Sequence, residues 1–201
     1  MKTFSLKQLG LAGTLIFTAA FTTLTNNLSA QTTFQSSAVE IRLTGTSTLH
    51  DWEMKAAQGT SEASFVVDAS GKITSITKLN FSLPATSLKS DSKAMDKNTY
   101  KALNTKNHPN ISFVLTSATI VEKGGNTYQL NCMGKLDIAG TIKETELLAV
   151  GKYNPADKSF TVSGIKKMKM TDYNVKPPTV MLGAIKTGND IAISYNLKFT
   201  R

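Results

Sequence analysis

Apolar residues recur at every second position along most of the chain from Val39 onward, the pattern of half-buried β-strands. In residues 191–199 the odd-numbered positions are apolar and share one face, while the even-numbered positions are mostly polar. Residues 128–138 alternate in the same way. The same signal predicts further strands at 39–44, 47–56, 60–68, 73–83, 111–121, 142–153 and 159–171.

Turn-forming residues separate these runs, as in Gly124-Gly125-Asn126 and Asn154-Pro155-Ala156-Asp157. Most neighbouring strands should therefore be joined as antiparallel hairpins. About nine short strands with one apolar face each can close into a barrel or stack as a sandwich.

One segment, residues 91–103, departs from the period of two. Met95 and Thr99 follow helical spacing there, and Asp91 or Ser92 can serve as the N-cap. A helix of this length is stable only when its apolar side packs on another element. We therefore predict a short helix that packs on the sheet and caps an opening.

The first thirty residues have the layout of a cleaved secretory signal peptide. Lys2 and Lys7 precede an apolar run from Leu9 to about Phe21, and a polar stretch ends at Ala30. The run is shorter than the about 20 apolar residues of a spanning helix, and no later stretch approaches that length. We expect residues 31–201 to form one domain, periplasmic or secreted, without a transmembrane segment.

The charge balance is moderately basic, with 23 Lys and Arg against 14 Asp and Glu. Lys2 and Lys7 leave with the signal, so residues 31–201 carry a net charge of +7. The lysines are scattered, and together with export this argues against a nucleic-acid partner. Cys132 is the only cysteine, so no intramolecular disulfide forms, and we interpret it as a small buried hydrophobe.

Candidate catalytic chemistry is sparse. Residues 31–201 contain two histidines, His50 and His108. His50 lies beside Asp51 in a predicted strand, where adjacent side chains point to opposite faces, so the pair does not form a base with its orienting acid. A metal site needs three or four convergent ligands, and the spacing offers none. We expect no enzyme activity, no metal and no cofactor.

The inward-facing apolar residues leave two possibilities open. A barrel of about eight strands is at the size where side chains either fill the interior or leave room for one elongated ligand. Alternation alone does not distinguish these.

Several stretches resemble the YceI-like family, in an order that spans nearly all of residues 31–201. They are Gly45–Trp52, Leu83–Ser90, His108–Phe113, Gly134–Thr141, Lys169–Tyr173 and residues 191–199. Members of this family are exported polyisoprenoid-binding proteins. The resemblance implies an all-β fold, a lipocalin-like antiparallel β-barrel of about eight to nine strands with one short helix capping an opening.

The resemblance also implies a non-catalytic carrier or storage protein for a polyisoprenoid or another long-chain amphiphile. Its tail would lie in the barrel and its head near the mouth, where His50 and Lys169 are the predicted contacts. The predicted apolar lining consists of Trp52, Phe65, Phe81, Phe113, Leu130, Leu136, Met168, Met170 and Tyr195. The alternative is a ligand-free β scaffold that acts through its surface in an envelope stress response. The sequence leaves open whether the protein forms a homodimer.

Overall fold

The computed structural model describes residues 30–200, so the predicted signal peptide lies outside the described residues apart from Ala30. The strands are β1 Ala30–Ser47, β2 Trp52–Ala56, β3 Thr60–Val67, β4 Ile73–Pro84, β5 Asn110–Gly124, β6 Thr127–Ile138, β7 Thr141–Asn154, β8 Ser159–Lys169, β9 Thr179–Val180 and β10 Ile185–Thr200. The α-helix α1 is Lys93–Ala102, and short 3-10 turns occupy Ala85–Ser87, Met170–Tyr173 and Met181–Gly183. No helix in this part of the chain is both long and apolar enough to cross a membrane.

Eight strands form a closed antiparallel ring in the order β1, β3, β4, β5, β6, β7, β8, β10. The ring closes because β10 pairs back onto β1, from Thr200 opposite Gln35 to Thr187 opposite Ser47. β2 extends the sheet beside the second half of β1, and β9 pairs with the start of β10. The predicted lipocalin-like barrel is confirmed, and the sandwich alternative is wrong because a single ring contains no second sheet.

The observed strands differ from the predicted ones mainly at their ends. The predicted strand 47–56 is interrupted, because residues 48–51 form a turn. Ser47 closes that turn: its Oγ donates to the His50 carbonyl at 2.7 Å and accepts from the His50 backbone N–H at 3.2 Å. Hydroxyl side chains commonly stabilise turns in this way.

Helix α1 confirms the predicted helix, with Ser92 as its N-cap. The Ser92 hydroxyl accepts from the Met95 backbone N–H at 3.3 Å. The buried Asp96 carboxylate accepts from the backbone N–H and the hydroxyl of Ser90, each at 2.8 Å. The Tyr100 hydroxyl donates to the Leu88 carbonyl at 2.7 Å. These bonds tie the helix to the loop that precedes it.

One end of the barrel is filled by five aromatic side chains, which we call the aromatic cluster. The centroid of the Phe65 ring lies 5.2 Å from that of Phe34, 4.9 Å from that of Phe160 and 6.2 Å from that of Phe199. The ring centroids of Tyr128 and Phe160 are 5.9 Å apart. All four pairs meet edge to face, a favoured aromatic geometry. Each of the five is at most 3% exposed, so this end of the barrel is packed solid.

Candidate functional site

The other half of the barrel is hollow. A cavity of about 470 Å³, which we call the outer chamber, lies beneath α1 and the segment 170–187. Its strand-borne walls include Leu43, Met54, Ile111, Ile138, Ile191 and Ile193. Its roof includes Met95, Ala102, Leu103, Tyr173, Val175, Val180, Met181 and Ile185. The lining is mainly apolar, so the prediction that the helix covers an opening agrees with this arrangement.

A second cavity of about 120 Å³, the inner chamber, lies directly below the first. Both chambers share six lining residues, Leu43, Leu88, Ile111, Ile138, Met168 and Ile193. Leu197 belongs to the inner chamber only and precedes Phe199 by two positions on the same face of β10. The inner chamber therefore ends where the aromatic cluster begins.

Most of the predicted lining residues meet at these two chambers. Trp52, Met168 and Met170 line the outer chamber, together with the predicted head-group contacts His50 and Lys169. Phe81, Leu136 and Tyr195 line the inner chamber, which Met168 also borders.

Three predicted lining residues contact neither chamber. Phe65 belongs to the aromatic cluster. Leu130 is fully buried in the same half of the barrel. Phe113 is 3% exposed, and its ring lies against Gly134 on the neighbouring strand, where a Cβ would overlap it. All three point inward as predicted, but at positions where side chains fill the barrel.

Two polar side chains reach from the inner chamber into a gap between β7 and β8. These strands pair only from Ala149 opposite Gly164 to Asn154 opposite Ser159. Beyond that point the Tyr195 hydroxyl donates to the Leu148 carbonyl at 2.9 Å, and the Lys166 ammonium donates to the Glu146 carbonyl at 2.9 Å. Burial raises the pKa of Tyr195 to about 12, so its hydroxyl stays neutral. Two side-chain hydrogen bonds thus bridge the wall where the backbone ladder is absent.

The mouth of the outer chamber carries its ionisable groups. His50 and Lys169 are exposed. Together with Tyr173 they are the ionisable side chains among the described residues that line the outer chamber. His50 donates from Nδ1 to the main-chain carbonyl of Asp51 at 2.6 Å, because a carbonyl can only accept. The Asp51 carboxylate therefore does not orient this ring. Across residues 30–200, no three His, Cys, Asp or Glu side chains gather to hold a metal.

Trp52 is fixed at the mouth by contacts with β1. Its indole Nε1 donates to the Thr46 carbonyl at 2.9 Å. Gly45 is its direct partner in the β1–β2 ladder, and the ring occupies the space that a Cβ at Gly45 would need. The absence of a side chain at Gly45 therefore lets the ring lie against the strand.

Sequence reasoning missed a large part of the lining. Met54 lies two residues after Trp52 on the same face of β2, so alternation could have found it. Alternation did place Ile193 on the apolar face of 191–199, but it was not among the predicted lining residues. Met95 was in the predicted helical stripe. Val175 and Ile185 come from the irregular segment between β8 and β10, where no period marks the inward side.

Comparison with known proteins identifies related chains. The YceI-like domain matches residues 36–199. BcnA of Burkholderia cenocepacia is 19% identical, with a TM-score of 0.62 over 80% of this chain and 95% of that chain. A polyisoprenoid binding domain from Saccharophagus degradans, implicated in plant cell wall breakdown, is 9% identical, with a TM-score of 0.59 over 83% and 97%.

The YCEI protein of Campylobacter jejuni is 16% identical, with a TM-score of 0.51 over 70% of this chain and 82% of that chain. No curated protein matches. At these identities the solved structures share the fold of this chain.

Proposed function

Since the chain belongs to the YceI-like family, we propose that it is an exported binding protein that holds a polyisoprenoid or a similar amphiphilic lipid, without catalysing a reaction. The observation that carries this proposal is the outer chamber, a mainly apolar space of about 470 Å³ with exposed residues at its mouth. Small-molecule sites typically have about 300–1,000 Å³ and an apolar lining. The shared fold of the Saccharophagus polyisoprenoid binding domain supports the same ligand class.

The chemistry of the lining suits an isoprenoid tail. Such a tail has no polar group to satisfy, and its burial contributes about 25 cal/mol per Å² removed from water. Five methionines line the outer chamber, Met54, Met95, Met168, Met170 and Met181. Unbranched thioether side chains adapt to irregular apolar surfaces, so they can follow the branched outline of the tail.

The polar head would remain at the mouth. His50 and Lys169 are exposed there and line the same chamber as the tail site. A lysine ammonium binds phosphate as a point charge, and an imidazole contributes charge only when protonated. We infer an anionic head, such as a phosphate, beside Lys169.

A surface-acting scaffold is the second candidate. Leu148, Val150 and Ile165 are 54%, 52% and 62% exposed on the outer face of β7 and β8, and a partner protein could cover them. A scaffold without ligand would be expected to fill its centre, whereas this barrel is hollow in one half. The chambers therefore favour lipid binding.

Native mass spectrometry of the purified protein tests the proposal. We expect a retained apolar adduct, or binding of added farnesyl or geranylgeranyl phosphate that displaces a fluorescent lipophile from the barrel. A protein that emerges without adduct, binds no prenyl lipid and does not take up the lipophile would refute lipid binding.

Head-group recognition has its own test. Lys169→Gln should weaken binding of a prenyl phosphate by about twofold to fivefold, the size expected for one exposed charge, with little effect on the matching prenol. Lys152→Gln is the matched control, because Lys152 is exposed on β7 beside the filled half of the barrel. Equal loss for phosphate and prenol would assign Lys169 to packing instead of charge recognition.

A further inference from the structure

The two chambers form a space with one closed end. The outer chamber has exposed residues at its mouth, among them His50, Leu49 and Met181. The inner chamber continues it and ends at Leu197, which is 7% exposed. Beyond Leu197 the rings of Phe160 and Phe199 fill the barrel. A tail that enters at the mouth therefore has no exit through the opposite end.

The combined volume of the two chambers limits the length of the lipid tail that can be buried in them. The chambers hold about 470 Å³ and about 120 Å³, together roughly 590 Å³. At the packing density of protein interiors, one carbon of an apolar chain with its hydrogens takes roughly 25 Å³. The space thus accommodates roughly 20 to 25 carbons, which is roughly four or five isoprene units.

The aromatic cluster is a densely packed boundary. Its five rings are at most 3% exposed and meet edge to face, so none can turn aside without opening a void among the others. In the side wall beside the inner chamber, Tyr195 and Lys166 span the gap between β7 and β8 with hydrogen bonds to β7. A longer tail would have to leave its excess carbons in water at the mouth.

We propose that the aromatic cluster and Leu197 set the length of the bound tail, so that the protein selects amphiphiles of roughly four to five isoprene units over much longer polyprenyl chains. This inference rests on the proposed function and narrows its ligand class. Leu197 and Ile193 are then the specificity-determining residues, Leu197 at the floor and Ile193 where the two chambers join.

The test is a tail-length series with a constant head group. Prenyl monophosphates of two, three, four, five and nine isoprene units compete with a fluorescent lipophile for the protein that lacks the signal peptide, at concentrations below micelle formation. Each buried methylene contributes about fourfold in affinity, so we expect at least about a tenfold gain per unit up to four units. Beyond five units the affinity should level off or fall.

Two variants move the limit in opposite directions. Ile193→Trp fills the junction between the chambers and should shift the best tail to about three units or fewer. Leu197→Ala lowers the floor and should let a five-unit tail bind more tightly than it binds the unaltered protein. Ile73→Ala is the control for lost stability, because Ile73 is buried in the filled half and lines neither chamber, and it should leave the preferred length unchanged.

The outcomes separate the two proposals. Binding that keeps strengthening from five to nine units, or a preferred length unaffected by Ile193→Trp, would overturn the length limit and leave lipid binding intact. If no tail of any length displaces the lipophile, prenyl binding itself is refuted and the length limit with it. Should Leu197→Ala not fold, Ile193→Trp decides alone, since it fills space that is already empty.

Discussion

Replacing Gly45 with alanine should push Trp52 away from the mouth of the outer chamber. The two residues are direct partners in the β1–β2 ladder, and a Cβ at position 45 would lie 2.7 Å from Cε2 of the Trp52 indole, closer still to Cζ2, and so overlap the ring. The ring cannot move aside freely, because its Nε1 donates to the Thr46 carbonyl at 2.9 Å. The substitution therefore forces either an overlap or the loss of that hydrogen bond.

The expected size of the effect follows from these two costs. Adding a methyl group to a filled position typically costs about 1–3 kcal/mol, and a lost hydrogen bond costs about 1 kcal/mol. We expect Gly45→Ala to lower the free energy of unfolding by about 1–3 kcal/mol. Gly45 is not among the glycines with positive φ, so its backbone suits alanine. In a chain without the indole, the same change should be neutral or stabilise by about 0.4–1 kcal/mol.

A double-mutant cycle measures the difference. Urea unfolding of the unaltered protein, Gly45→Ala, Trp52→Ala and the double variant is followed by circular dichroism, which does not require tryptophan. In the two proteins that keep Trp52, the only tryptophan, emission should move to longer wavelength on Gly45→Ala as the ring becomes more solvated. If Gly45→Ala costs the same with and without the indole, the ring is not the cause and the reasoning fails.

Three further results are expected. Asp96→Asn should lower stability at pH 7 by about 1–2 kcal/mol. Burial acts to raise the pKa of the Asp96 carboxyl, but the Ser90 hydrogen bonds and the Lys89 charge together hold that pKa below its ordinary value. A lowered pKa stabilises the fold above the unfolded-state pKa, and this contribution is lost as the pH falls through the folded value. In urea unfolding the stability difference between the two proteins should therefore shrink as the solution is acidified below the ordinary carboxyl range, and the exposed Asp91→Asn is the control for stability at pH 7. Burial raises the pKa of Cys132 to about 11. A thiol reagent at roughly pH 8 should therefore label Cys132 at least tenfold faster in urea than in the native protein. Equal labelling rates would contradict the burial of Cys132. Peroxide oxidation of the five outer-chamber methionines should weaken prenyl binding by about tenfold, since sulfoxides are polar; unchanged affinity after oxidation verified by peptide mass spectrometry would remove them from the site.

Local signals identified most of the elements. The strands β6 and β10 lie where period-two alternation predicted them, because each has one face toward the interior and one toward solvent. The helix was marked by a change of period and by a serine that can accept from a backbone N–H. The break at residues 48–51 was not predicted, because Ser47, Thr48 and Leu49 continue the alternating pattern while a hydroxyl-stabilised turn bends the chain.

The candidate site was only partly predictable, because a local pattern does not show how far along the barrel axis a side chain lies. Leu130 and Leu136 belong to one strand and share its inward face, yet Leu136 lines the inner chamber and Leu130 lies in the filled half. Alternation reports which face a side chain occupies and carries no information about its level along the barrel axis. That level depends on the register of every pair around the ring.

The amino-acid sequence by itself determined that this protein is a β-sheet with one apolar face and one short helix, since both follow from interactions between residues close in the chain. Only the tertiary structure decided that the sheet closes on itself, that aromatic rings fill one half, and that the other half stays hollow under α1 and residues 170–187. Those outcomes depend on the summed volumes of side chains from eight strands that meet at the barrel axis. No local pattern contains that sum.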